Sequence, residues 1–147
     1  GDDNSVSQVF SACFGAPFMP RSPNEYASLL IDRIKKFGSQ VYLVNTGWTG
    51  GPLGVGKRFP IPVTRSIITA ILNNKLENTQ TKNIKILNLN IPLSIDGVDS
   101  NFLEPEKCWI SPIRYKQAAR ALALLFIENM NNFVVSKEIA KSGPQCS

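Results

Sequence analysis

The chain has 147 residues, 43% apolar and 18% charged, with 16 Lys+Arg against 11 Asp+Glu, three Cys and no His. A chain of this size buries roughly 70% of its unfolded surface, enough for one domain with a core. Without imidazole, a Ser-His-Asp or Cys-His nucleophile, a His-ligated zinc and a histidine proton shuttle are all excluded. The net charge of +5 permits an anionic partner without selecting one. Basic residues come in pairs, Lys35-Lys36 and Lys57-Arg58, never in a run interleaved with aromatics, so no nucleic acid is expected as a partner. Cys13, Cys108 and Cys146 are far apart, lack CxxC spacing and read as reduced thiols of a cytoplasmic protein. No run of about 18 apolar residues occurs, and Gly1-Asp2-Asp3-Asn4 is polar and acidic, so neither a membrane span nor a secretory signal is expected.

The first eight residues are polar, whereas residues 9–18 are apolar enough to want burial, and a core segment so close to a chain start suggests that something precedes it. Ser22-Pro23-Asn24-Glu25 is a capping box with proline at the first helical position. Tyr26, Leu29, Leu30, Ile34 and Phe37 continue it as one apolar face, and Gly38 suits a left-handed cap, so a helix is predicted over 23–37. The β-branched and aromatic run at 40–46 reads as a buried strand. Residues 47–62 carry so many glycines and prolines that no regular structure is expected. A second helix follows, with Thr64, Ile67, Ile68, Ile71 and Leu72 on one stripe, ending near Asn73-Asn74. Residues 77–83 read as a loop, and 84–91 as extended structure closed by Pro92. Ser111-Pro112 repeats the helix-start signal, and Tyr115, Ala118, Leu122, Phe126, Met130 and Phe133 predict a long final helix to about Val134. The tail at 143–147 reads as frayed, and no internal repeat or domain-scale linker is present.

Gly51-Pro52-Leu53-Gly54-Val55-Gly56-Lys57-Arg58 matches the phosphate-loop pattern except that Arg58 stands where a Ser or Thr would hold magnesium. The pattern therefore points to an anion or nucleotide contact rather than to phosphoryl transfer by itself. A structural turn with two exposed basic residues remains the other reading. Cys13 reads as a small buried hydrophobe, since nothing beside it supplies a general base. Trp48 reads as a packing anchor under the glycine loop, with a ligand-facing role as the alternative. Asp96 and Asp99, flanking Gly97, suggest a metal pair, but two acids in a turn are more commonly turn chemistry.

The strings at 10–18 (FSACFGAPF), 44–52 (VNTGWTGGP), 54–58 (GVGKR) and 64–72 (TRSIITAIL) resemble the C-terminal part of the ATP-dependent phosphoenolpyruvate carboxykinases. Leu125-Phe126-Ile127-Glu128-Asn129 is similar to that family's last helix. The resemblance implies an α/β fold, part of a mixed-sheet mononucleotide-binding C-terminal domain, with residues 1–147 a fragment of a larger enzyme. It implies conversion of oxaloacetate and ATP to phosphoenolpyruvate, ADP and CO2 in gluconeogenesis, with magnesium and manganese. The family's phosphate loop, metal ligands (a histidine among them) and oxaloacetate-binding arginines lie upstream of this segment, so no catalytic or metal residue is expected here and the isolated chain is expected to be inactive.

What the resemblance carries onto this chain is the adenine side of the ATP site: Arg58 and Phe59 as the Arg-apolar pair beside the purine, and Thr64 in the same pocket. A guanidinium can stack on a purine while its donors find acceptors; otherwise Arg58 is a solvated loop arginine. Phe59 stands where a smaller aliphatic residue is expected, tolerable if only its main chain contributes. Thr64 is alternatively a capping hydroxyl. The expected partners are ATP/ADP and the upstream part of the same enzyme, with no membrane. Uncovered edges and faces also predict some self-association of the isolated chain. The alternatives are a stand-alone noncatalytic nucleotide- or phosphate-binding module and an interaction domain whose glycine loop is structural.

Overall fold

Serine followed by proline starts two helices in the computed structural model, which describes Phe10, residues 15–52 and residues 54–146. Helix α1 spans Pro23–Phe37, as predicted. Ser22 Oγ accepts the Glu25 amide at 3.4 Å, and Lys35 and Lys36 lie at the negative end of the helix dipole. Gly38, at φ 63°, closes the helix by donating its amide to the Ile34 carbonyl at 2.8 Å. Despite these signals α1 buries none of its residues, and Leu30 is 57% exposed.

The strand expected at 40–46 belongs to no sheet among the described residues. Its side chains do alternate, with Val41 and Leu43 exposed and Tyr42 and Val44 half-buried. No described residue offers it a main-chain partner, so the pattern of a strand is present without the ladder.

Residues 47–62 are more regular than their composition suggests. A short antiparallel hairpin pairs β1 (Trp48–Thr49) with β2 (Lys57–Arg58), Trp48 opposite Arg58 and Thr49 opposite Lys57. The glycines make this hairpin: Gly50 and Gly54 sit at φ 78° and 85°, and a Cβ on Gly50 would approach the Cys108 carbonyl oxygen to 2.9 Å. Helix α2 (Ile61–Leu72) follows from Pro60 and turns Ala70 into the core.

The expected loop at 77–83 and extended run at 84–91 are redistributed into a second hairpin, β3 (Thr81–Ile84) against β4 (Leu89–Pro92). The chain reverses inside the apparent extended run because Asn88 adopts φ 51°, and the Leu87 and Asn88 amides bond to the Ile84 and Lys85 carbonyls at 3.1 and 3.2 Å. Next come a 3-10 turn at Ser100–Phe102, the four-residue α3 (Pro105–Cys108), α4 (Pro112–Met130) and α5 (Lys137–Ser142).

Helix α4 stops short of the predicted Val134, and its buried residues are Tyr115, Ala119 and Ala123, while Ala118, Leu122 and Phe126 of the expected stripe are exposed. The tail does not fray over residues 143–146. Asn88 Nδ2 donates to the Ser142 carbonyl at 3.0 Å, and the Gln145 amide donates to the Ile86 carbonyl at 3.0 Å, docking the end of α5 on the β3–β4 turn.

The fold class is α/β, but the strands form two separate two-stranded antiparallel sheets among the described residues rather than a mixed sheet. The core is Ala70, Ile95 and Leu103 with Ile67, Leu76 and Val98 packed around them. Phe59 meets Phe102 edge-on at 5.5 Å, and Trp109 meets Tyr115 at 5.8 Å.

Candidate functional site

Successive strand residues point to opposite faces, and the hairpin β1–β2 uses this to separate Arg58 from Phe59. Phe59 turns inward, 8% exposed, with its amide donating to the Gly47 carbonyl at 2.8 Å. Arg58 turns outward, its Cζ 5.9 Å from the Trp48 ring centroid in a cation–π contact. Trp48 is 41% exposed, so it supports an arginine at the surface rather than anchoring the loop from beneath. Neither Lys57 nor Arg58 pairs with a carboxylate among the described residues. Two adjacent cations are therefore without an acidic partner among the described residues.

Thr64 lies four residues into α2, half-buried, with its amide on the Pro60 carbonyl at 3.1 Å. Its hydroxyl makes no hydrogen bond to a described residue, so it does not cap the helix. The start of α2 has no side-chain cap, unlike α1, α4 and α5, each capped by a serine. Arg58, Phe59 and Thr64 thus lie at the junction of β2 and α2: a guanidinium resting on Trp48 with no carboxylate partner among the described residues, a buried ring, and a hydroxyl that bonds to no described residue.

The glycine loop itself is not an open cradle of amides. The Val55 and Gly56 amides both donate to the Pro52 carbonyl, at 3.0 and 2.8 Å, so they are spent on the turn. A Cβ on Gly56 would collide with the Gly51 carbonyl oxygen, and the close fold of the loop requires glycine there. Behind the hairpin lies a largely apolar cavity of about 680 Å³, walled by residues 41–45, Phe59, α2 and β4.

The acids near Gly97 have local partners. Asp99 Oδ1 accepts the Asn101 amide at 2.9 Å and caps the 3-10 turn, and Asp96 pairs with Lys75 at 3.7 Å. No group of three or more His, Cys, Asp or Glu stands together among the described residues. Cys108 donates to the Asn101 carbonyl at 2.9 Å, and Cys108 and Cys146 are free thiols; Cys13 lies outside the described residues. Glu104 bridges β3 and α3, 3.0 Å from Lys82 Nζ and 2.5 Å from Lys107 Nζ. Hydrogen bonds from Lys107 and then Lys82 hold its carboxyl below the usual glutamate range. Burial, with Glu106 nearby, pushes the Tyr115 phenol above its ordinary value. No helix among the described residues is long and apolar enough to cross a membrane.

The family model for phosphoenolpyruvate carboxykinase matches residues 2–101, through both hairpins, α1 and α2. The chain belongs to the ATP-dependent phosphoenolpyruvate carboxykinase family. It is 48% identical over 150 aligned residues to the phosphoenolpyruvate carboxykinase (ATP) of Thermus thermophilus, covering 99% of this chain and 28% of that protein. It is 46% identical over 137 residues to a phosphoenolpyruvate carboxykinase (ATP) of Moorella thermoacetica, covering 92% of this chain and 26% of the relative. Against the Agrobacterium fabrum enzyme of the same name the identity is 47% over 136 residues, 90% of this chain and 25% of the relative. The chain thus spans about a quarter of the length of the curated carboxykinases it matches, and the likeness runs past residue 101 into the helices α3 to α5.

Proposed function

We propose that this chain is the C-terminal part of an ATP-dependent phosphoenolpyruvate carboxykinase and supplies the adenine side of its ATP site. The whole enzyme converts oxaloacetate and ATP to phosphoenolpyruvate, ADP and CO2, a step of gluconeogenesis. The observation that carries this reading is the family membership of a chain whose hairpin–helix junction holds an exposed Arg58 with no carboxylate partner among the described residues, and, six residues on, a Thr64 whose hydroxyl bonds to no described residue. Arg58, braced on Trp48, stacks on or hydrogen-bonds the nucleotide, and Thr64 donates or accepts at its edge. Phe59 contributes its main chain, because its ring is committed to Phe102. That commitment also accounts for a large aromatic at a position where a small aliphatic residue is expected.

Phosphoryl transfer rests on positioning and charge neutralisation, with magnesium and manganese supplying the positive charge. The donor set here does not fit these metals, since Asp96 and Asp99 are taken by Lys75 and the Asn101 amide. Metal binding and the chemical steps are therefore assigned to the remainder of the enzyme, and the isolated chain is expected to show no turnover.

Titration of the chain with ATP and with GTP, repeated with Arg58→Ala, tests the site. Weak, ATP-preferring binding that Arg58→Ala abolishes is the expected result. Equal binding of both nucleotides, or no effect of the substitution, removes the assignment and leaves a general phosphate-binding module as the better reading.

A further inference from the structure

Trp48 and Arg58 are register partners on β1 and β2, so their side chains rise as neighbours from the same face of the hairpin. The main chain beneath the indole is tied down from both sides. Asn45 brackets it, with Oδ1 accepting the Gly47 amide at 2.9 Å and Nδ2 donating to the Trp48 carbonyl at 3.1 Å. From the opposite strand the Phe59 amide donates to the Gly47 carbonyl at 2.8 Å, and the Phe59 ring is itself held against Phe102. Two residues past Trp48, Gly50 lies so close to α3 that a Cβ there would stand 2.9 Å from the Cys108 carbonyl oxygen. The indole is therefore carried on a fixed platform. Arginine, by contrast, is a long side chain that gives up much rotamer freedom whenever it is held in one place.

The chemistry of the platform matters as well as its rigidity. A carboxylate partner would occupy the N–H fork of the guanidinium and set a negative charge beside an anionic nucleotide. An indole face attracts the cation through its ring quadrupole, adds no charge and leaves the N–H donors available. Among the described residues, the partner that Arg58 has is of this second kind, 5.9 Å from Cζ to the ring centroid.

We infer that Trp48, bracketed by Asn45, is a positioning residue for Arg58: it holds the guanidinium on the outer face of the hairpin before the nucleotide arrives, so that less side-chain freedom is lost on binding. Trp48 acts through Arg58 and needs no contact of its own with the nucleotide. The inference deepens the proposed function and rests on its assignment of Arg58 to the adenine side of the ATP site.

A double-substitution cycle on the ATP affinity of the full-length enzyme, where the rest of the ATP site keeps binding measurable after Arg58→Ala, tests it. Trp48→Leu is expected to weaken ATP binding about three- to fivefold, the range of an exposed cation–π contact, and Trp48→Phe, which keeps an aromatic face, by less than about twofold. Asn45→Ala loosens the platform while leaving the indole in place, and its effect should fall between those two. In an Arg58→Ala background neither Trp48→Leu nor Asn45→Ala should weaken binding further. Should Trp48→Leu fail to fold, Asn45→Ala, at an exposed position, carries the same cycle. Equal weakening with and without Arg58 would overturn the inference, because Trp48 would then serve the fold or meet the nucleotide by itself. Unchanged affinity in Trp48→Leu would overturn it too, and either result leaves the role of Arg58 standing. Unchanged affinity in Arg58→Ala would instead remove the proposed function, and the inference with it.

Discussion

Every buried residue among those described lies between Phe59 and Ala123, whereas Pro23 to Thr46, just as apolar, buries none. Yet α1, in the unburied region, has the fuller set of end signals: a serine cap, an N-terminal proline, a glutamate in the first turn, lysines in the last and a left-handed glycine. Helix α2, which reaches the core through Ala70, has no side-chain cap. One region is held by packing and the other by its own ends. A 15-residue helix is only marginally stable in water, so without those ends α1 would have little to keep it helical.

The sharpest way to break this contrast is to truncate one residue on each side. Leu103→Ala removes a core side chain and should cost about 3 kcal/mol. Leu30→Ala, on the open face of α1, should change the unfolding free energy measured in urea by less than about 0.5 kcal/mol. Equal losses would mean that α1 is packed in solution after all. A smaller effect is expected from Gly38→Ala, which places a Cβ at φ 63° and should cost about 1 kcal/mol. That loss should appear as faster amide exchange in α1, with the exchange of α4 unchanged; a matching change in α4 would show the two regions to be one cooperative unit.

The smallest effect concerns Glu104, which ties β3 to α3 within the packed region. Its carboxyl is held below the ordinary range by Lys107 first and Lys82 second, so its stabilising contribution is present above the unfolded-state value and is lost as pH falls through the depressed folded one. Urea midpoints should therefore decline on acidification across that window, and Lys107→Ala should flatten the decline more than Lys82→Ala. An unchanged slope in Lys107→Ala would remove Glu104 from the account.

What the sequence made legible follows the same division. Helix ends are local chemistry, and Ser22, Gly38 and Ser111 mark theirs correctly. The face of α4 is not local: the run 121–127 contains only Ala, Leu, Phe and Ile, with no polar residue to give it a phase. The small Ala119 and Ala123 are buried, while Leu124, Leu125, Phe126 and Ile127 stay exposed. Composition hid the two hairpins in opposite ways, by the glycines and prolines of 47–62 that point to no regular structure and by an Asn88 turn inside an apolar run. Helix α5 went unnoticed, although Ser136 caps it through the Ile139 amide. At the candidate site, the residue types were legible, but the opposite facing of Arg58 and Phe59 depends on a hairpin register that only the fold supplies.

The main chain of 41–46, which bonds to no described residue, has a consequence for handling as well as for folding. Proteases bind their substrates as extended, unpaired chain, and here such a stretch follows directly on the exposed Lys35 and Lys36 at the end of α1. Nicking there would cut the covalent link between α1 and the packed region from Phe59 onward, leaving the Asn24 Nδ2 bond to the Val134 carbonyl and the edge-on Phe10–Phe126 contact among the ties across the cut.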